Sequence, residues 1–159
     1  MKNAKGTSYM SRASYIRLLV MAVLSFISMY ILMYAMVDSI ENVYGNFNQF
    51  YMTGLMVAPM LIIELVLMSA MYHDKKMNIA IIAVSVIALV VFWSLIRQQT
   101  AISDKQFLRS MIPHHAGAIL MCDKAPIQDS KLKELCRTII SSQKEEIAQM
   151  KAILSELEK

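Results

Sequence analysis

The chain has 159 residues, of which 57% are apolar and 18% charged, with a formal net charge of +4. This is too oily for an ordinary soluble domain. The positive charge sits in short flanks rather than along one face, which excludes a nucleic-acid footprint. With only four glycines there is no phosphate-cradling loop, no hydrolase triad is recognisable, and nothing argues for catalysis.

Three apolar runs account for the composition, at about 15–36, 50–72 and 77–96. Each has roughly 20 residues or more, enough at about 1.5 Å rise per residue to cross about 30 Å of hydrocarbon. They predict a membrane domain over residues 1–99 with three transmembrane helices. The first run follows a basic flank, but it is too long for a signal peptide and lacks a small-x-small cleavage site, so a retained anchor is expected. Lys2, Lys5, Arg12 and Arg17 precede or open it without any acidic residue, and His73-Asp74-Lys75-Lys76 joins the second and third runs. The first loop, 37–48, carries Asp38 and Glu41 and no base. The positive-inside rule then places the N-terminus and second loop in the cytoplasm, in a cell (inner) membrane. Three crossings leave the C-terminal segment outside, periplasmic or extracellular.

In the second run Met52, Met56, Met60, Glu64 and Met68 recur every four residues and form one drifting stripe on a helix. Pro59 is expected to kink that helix. A carboxylate inside an apolar span is a functional candidate because burying its charge is costly. Flexible methionine packing and a neutral, hydrogen-bonded Glu64 form the plainer reading.

After a polar link at 97–101, Ser103-Asp104-Lys105-Gln106 fits a capping box and opens a helix. Phe107, Met111, His114, His115, Ala118, Met121 and Cys122 follow at i, i+3, i+4 spacing. Pro113 is expected to kink this helix directly before the two histidines. Residues 125–129 make a turn, and a second amphipathic helix starts at Asp129 or Ser130. Its stripe runs through Leu132, Leu135, Cys136, Ile139, Ile140, Gln143, Ile147, Met150, Leu154 and Leu157. Residues 100–159 are therefore an extracytoplasmic antiparallel helical hairpin, and the whole chain is all-α. Two helices bury little core, so the hairpin is expected to form a homo-oligomer, at least a dimer, closing a four-helix bundle.

The chemistry concentrates in Met111-Ile-Pro-His114-His115-Ala-Gly-Ala-Ile-Leu-Met121, which holds two of the three histidines. Neutral imidazole suits zinc, copper, iron or nickel, and thioether selects soft ions, above all Cu(I). Together they point to copper, with Cu(I) favoured and Cu(II) also accommodated. Zinc sites would normally be all Cys and His, and a di-iron centre needs Glu-x-x-His pairs that this tail lacks. With a tight turn, Lys124 stands opposite Ser130, Met111 opposite Gln143 and His115 opposite Ile139. Met111, His115 and Glu146 then make a site within one hairpin, while His114 and Met121 await a partner chain. The same register separates Cys122 from Cys136 by about 6 Å in height, added to an interaxial distance of about 8–10 Å. No disulfide within the hairpin is expected; a bridge between chains, or free thiols for a soft metal, remain open.

The series Asp104, Phe107, Met111, His114, His115, Ala118, Ile119 and Met121, followed by Glu134, Leu135, Gln143, Glu146, Ile147 and Met150, resembles the domain-of-unknown-function family DUF305. The resemblance covers about 103–154, roughly a third of the chain. It implies a ferritin-like helical fold, an association with copper binding and tolerance, and copper ligands at His114, His115, Met111 and Met121, with Met150 as a further candidate. Many members have a longer or duplicated bundle, so a single hairpin again implies oligomerisation. The expected function is a membrane-anchored extracytoplasmic copper-binding protein for buffering, tolerance or hand-over. The rival readings are metal-ion transport through Glu64 and the methionine ladder, and an oligomerising membrane module without metal.

Overall fold

A computed structural model describes residues 3–159, with side chains from Arg12 onward. Lys2 lies outside the described residues, as does the side chain of Lys5. Among the described residues the chain is helical, with α1 Asn3–Leu32, α2 Phe47–Leu67, α3 Lys75–Gln98, α4 Asp104–Lys124 and α5 Ser130–Leu157, and no strand. Two short 3-10 turns, Met33–Met36 and Ile40–Asn42, lie between α1 and α2. Three stretches are long and apolar enough to cross a membrane: Arg12–Met36, Phe47–Leu67 and Lys75–Gln98. The second is shorter than its apolar run because the chain turns at 68–71, where Met71 N donates to Met68 O at 2.8 Å. Neither Pro59 nor Pro113 ends its helix.

Two compact units result. The first comprises Met1–Tyr30 and Phe50–Thr100. Leu18, Leu65 and Tyr72 are buried together, with Tyr15, Met21, Leu61, Ile81 and Ile82 packed against them. Close helix contact depends on small residues, as expected where lipid gives no hydrophobic drive between helices. A Cβ on Gly54 would overlap the Phe92 ring, and the small residues Thr53 and Ser85 are also buried. Phe50 fills space between Phe26 and Phe92, with ring centroids 5.0 and 6.2 Å away. Only 6% of the apolar windows of α1 and α3 is buried, which leaves Leu19, Leu24, Ile87 and Trp93 facing outward. Such a surface is stable only against hydrocarbon, and the α-helix suits it because every backbone bond is made internally.

The second unit comprises Ile31–Gln49 and Ala101–Lys159. Its centre is the α4–α5 hairpin, where Leu108, Ile112, Ala116, Ile119, Ile147 and Leu154 form the core. Ile112 and Ala116 are wholly buried. Residues 31–49 complete this core instead of forming a free loop: Val37 and Tyr44 pack onto it. Gly117 lets this segment come close, since a Cβ there would stand 3.4 Å from the Met36 carbonyl. Asn48 Nδ2 donates to Ser110 Oγ at 3.2 Å, and the Phe47 amide donates to Gln106 Oε1 at 3.0 Å. Ser103 caps α4 as expected, accepting from the Gln106 amide at 3.5 Å. The Gln106 side chain turns to the loop instead of closing a capping box. Asp129 caps α5 through the Leu132 amide at 2.8 Å.

The hairpin register overturns one expectation. Cys122 and Cys136 form a disulfide within the hairpin, with Cα atoms 5.2 Å apart. The link is not tight: Ala125 and Asp129 are both extended and carry the chain past the end of α4 before α5 starts. Relative to the tight-turn register, α5 is displaced by four residues, about 6 Å. Cys122 then faces Cys136, and His115 faces Gln143 seven residues further from the turn on both helices.

Candidate metal centre on the helical hairpin

The two histidines diverge because neighbours on a helix are about 100° apart. His115 turns into the hairpin seam, where its side chain is 13% exposed. Its Nδ1 lies 3.4 Å from Glu146 Oε2, at ion-pair distance but without the alignment of a hydrogen bond. This nitrogen is buried and has no hydrogen-bond partner. Gln143 Oε1, one turn before Glu146 on α5, is also buried without a partner. Two such groups at one level of a seam are unusual, because an unsatisfied buried polar atom costs about 1–3 kcal/mol.

Met111 precedes His115 by one turn and is half-buried. Met150 follows Glu146 by one turn, is half-buried, and packs on the core of Leu108, Ile112 and Ile147. The displaced register therefore brings Glu146 and Met150 one turn closer to His115 and Met111 than a tight turn would. His114 points outward, its ring centroid 6.0 Å from that of His115. Met121 is 52% exposed and Phe107 49%, and these two with His114 form an outer line at seven-residue spacing. The six expected residues thus divide into an inner set (Met111, His115, Glu146, Met150) and an outer pair (His114, Met121). Gln143 is an addition. Its signal in the sequence is an amide on an otherwise apolar stripe, three residues before Glu146.

Among the described residues no three His, Cys, Asp or Glu side chains converge into a metal-holding group. Instead, His115 meets Glu146 across the seam, and Met111, Gln143 and Met150 lie one turn from that pair along their own helices. The disulfide consumes both thiols, so thiolate ligation is withdrawn from the options. Elsewhere, Glu64 Oε1 accepts from Tyr72 Oη at 3.3 Å. Met52, Met56 and Met68 are each about two-fifths exposed, Met60 and Glu64 are half-buried, and Met68 lies past the end of α2, so the ladder is not one continuous face.

The family model described as Domain of unknown function (DUF305) matches residues 93–154. An uncharacterized protein of Acanthamoeba polyphaga mimivirus is 37% identical over 142 residues, covering 87% of this chain and 91% of that protein. This similarity extends through the apolar helices as well as the hairpin. No solved structure matches the chain.

Proposed function

As the chain belongs to the DUF305 family, we propose that it is a membrane-anchored copper-binding protein whose hairpin buffers or hands on the ion outside the cytoplasm. The observation that carries this reading is the buried Nδ1 of His115, which lies against Glu146 without a hydrogen bond, together with the buried Oε1 of Gln143 one turn before Glu146, which has none either. A soft cation between them would satisfy both. His115 would be the principal inner ligand and Met111 and Met150 the soft donors, with Glu146 offsetting charge. Thioether donors favour Cu(I) over Cu(II) and over zinc.

The location rests on charge and parity. Basic residues flank α1 and fill the α2–α3 turn, whereas the first loop carries Asp38 and Glu41 without a base. By the positive-inside rule the hairpin lies on the far side of the membrane. The Cys122–Cys136 disulfide suits such an oxidising compartment. Phe107 and Met121 on α4 and Leu132, Leu135 and Ile153 on α5 remain exposed, and a second hairpin laid on the apolar surface would build a four-helix bundle. His114 and Met121 would then be completed by the partner copy.

The test is competition for Cu(I) between the full-length protein in detergent and a chromogenic chelator. Near-stoichiometric binding is expected, reduced at least tenfold by His115→Ala and nearly abolished by His114→Ala with His115→Ala. Affinity unchanged in the double variant sinks the proposal. Light scattering on the same preparation should give a dimer or larger.

A further inference from the structure

Within the first unit a groove of about 680 Å3 opens between the start of α1 and the turn leading into α3. Its α1 wall is Arg12, Tyr15, Ile16 and Leu19, an i, i+3, i+4, i+7 stripe; its other wall is His73, Asp74 and Met77. The polar and apolar lining is segregated by depth. Arg12 opens the first span and His73 precedes the third, whereas Leu19 lies seven residues, about 10 Å, further along its helix.

The walls are held rigidly. Tyr15 Oη donates to Asn78 Oδ1 at 2.6 Å and lies 3.2 Å from the Asp74 carbonyl. Asn78 Nδ2 donates to the Tyr72 carbonyl at 2.8 Å, and the Tyr15 and Tyr72 rings stand 5.4 Å apart. The one acid in the lining is already occupied, because Asp74 Oδ1 accepts from the Lys76 and Met77 amides as the cap of α3. Lys75 and Lys76 adjoin it. Arg12, Lys75 and Lys76 make no ion pair among the described residues, and residues 1–11 contain no carboxylate side chain. Arg12, Lys75 and Lys76 therefore outnumber the single carboxylate of Asp74, and the rim carries net positive charge above an apolar slot.

We propose that this groove seats an anionic phospholipid, its phosphate on Arg12 and His73 and its acyl chain along Ile16, Leu19 and Met77. Charge complementarity selects the headgroup, and the slot leading into the span selects a lipid over a free anion. Cationic pockets between transmembrane helices bind anionic headgroups in this manner, with about 1 kcal/mol, or about fivefold, per cation. The site is independent of the copper reading, since it shares no residue with the hairpin.

Native mass spectrometry of the full-length protein released from mixed micelles tests this. Phosphatidylglycerol should be retained at least fivefold over phosphatidylcholine, and Arg12→Gln with His73→Gln should remove most of that preference. Arg17→Gln, which changes a neighbouring cation outside the groove, should leave it within twofold. Equal retention of the two lipids overturns the proposal without any variant. So does a loss in Arg17→Gln matching that in the groove variants, which would mark a diffuse surface attraction. Displacement of bound lipid by millimolar inorganic phosphate would identify a free-phosphate site and overturn it too.

Discussion

Reducing the Cys122–Cys136 disulfide should loosen the second unit far more than the rest of the chain. The bridge closes a loop with a sequence separation of 14, and constraining the unfolded chain over that length is worth about 3 kcal/mol in the loop-entropy model. The hairpin depends on this contribution because its core is small: six buried residues, of which only Ile112 and Ala116 are wholly enclosed. Hydrogen exchange of α4 and α5 amides in the full-length protein reads the effect locally. At tenfold per about 1.4 kcal/mol, protection should fall by about two orders of magnitude on reduction. Cys122→Ser with Cys136→Ser should show the same fall, while α1 to α3 amides keep their protection. A change below fivefold refutes the reasoning, as do two thiols per chain that alkylate without reductant.

Other outcomes follow from single side chains. Ile112→Ala empties the centre of the hairpin core and should cost about 2–5 kcal/mol in chemical denaturation. Asp129→Ala removes the α5 cap and should cost about 1 kcal/mol; Arg109→Ala, which breaks an exposed pair with Glu158, should cost under about 1 kcal/mol. Gly54→Val forces atoms into the Phe92 ring and should give aggregated or polydisperse protein on size exclusion, whereas Gly54→Ala should be milder. Burial first, and then the nearby Glu64 carboxylate, raise the Tyr72 phenol above the usual tyrosine value of 10.0. Its protonated form therefore adds stability that is fully present below the unfolded pKa and is lost as pH rises through the higher folded pKa. The difference in ultraviolet titration between wild type and Tyr72→Phe should show one phenol ionising late.

Periodicity and length made the helices legible, because a run of apolar residues with no charge has few other solutions. Ser103 and Asp129 announced their helix starts for the same local reason: a short acceptor side chain before an amphipathic pattern. The register of α4 on α5 was not legible. It depends on whether 125–129 turns at once or runs on extended: Pro126 disfavours the helical conformation at Ala125, but nothing in the sequence fixes how far the link runs before Asp129, also extended, starts α5. Once the register moves by one turn, the cysteines meet and Gln143 comes to face His115. The packing of 31–49 onto the hairpin was not legible because its contacts with α4 are long-range: Gln106, a seemingly good capping-box residue, bonds to Phe47 instead.

That loop also imposes an order on biogenesis. Asn48 meets Ser110 across a sequence separation of 62. At about 5–20 residues per second, the first segment of the second unit waits roughly 3–12 s for the helix it packs against. On the topology proposed above, α2 and α3 are synthesised and inserted during that interval, and two crossings return the chain to the side on which the loop was left. The finished core can thus form only when the membrane hairpin has been threaded correctly. Folding of the second unit is in this sense a proofreading step on insertion, and a chain with a missed crossing would leave Val37, Tyr44 and the α4 core exposed to whatever quality control removes orphaned membrane proteins.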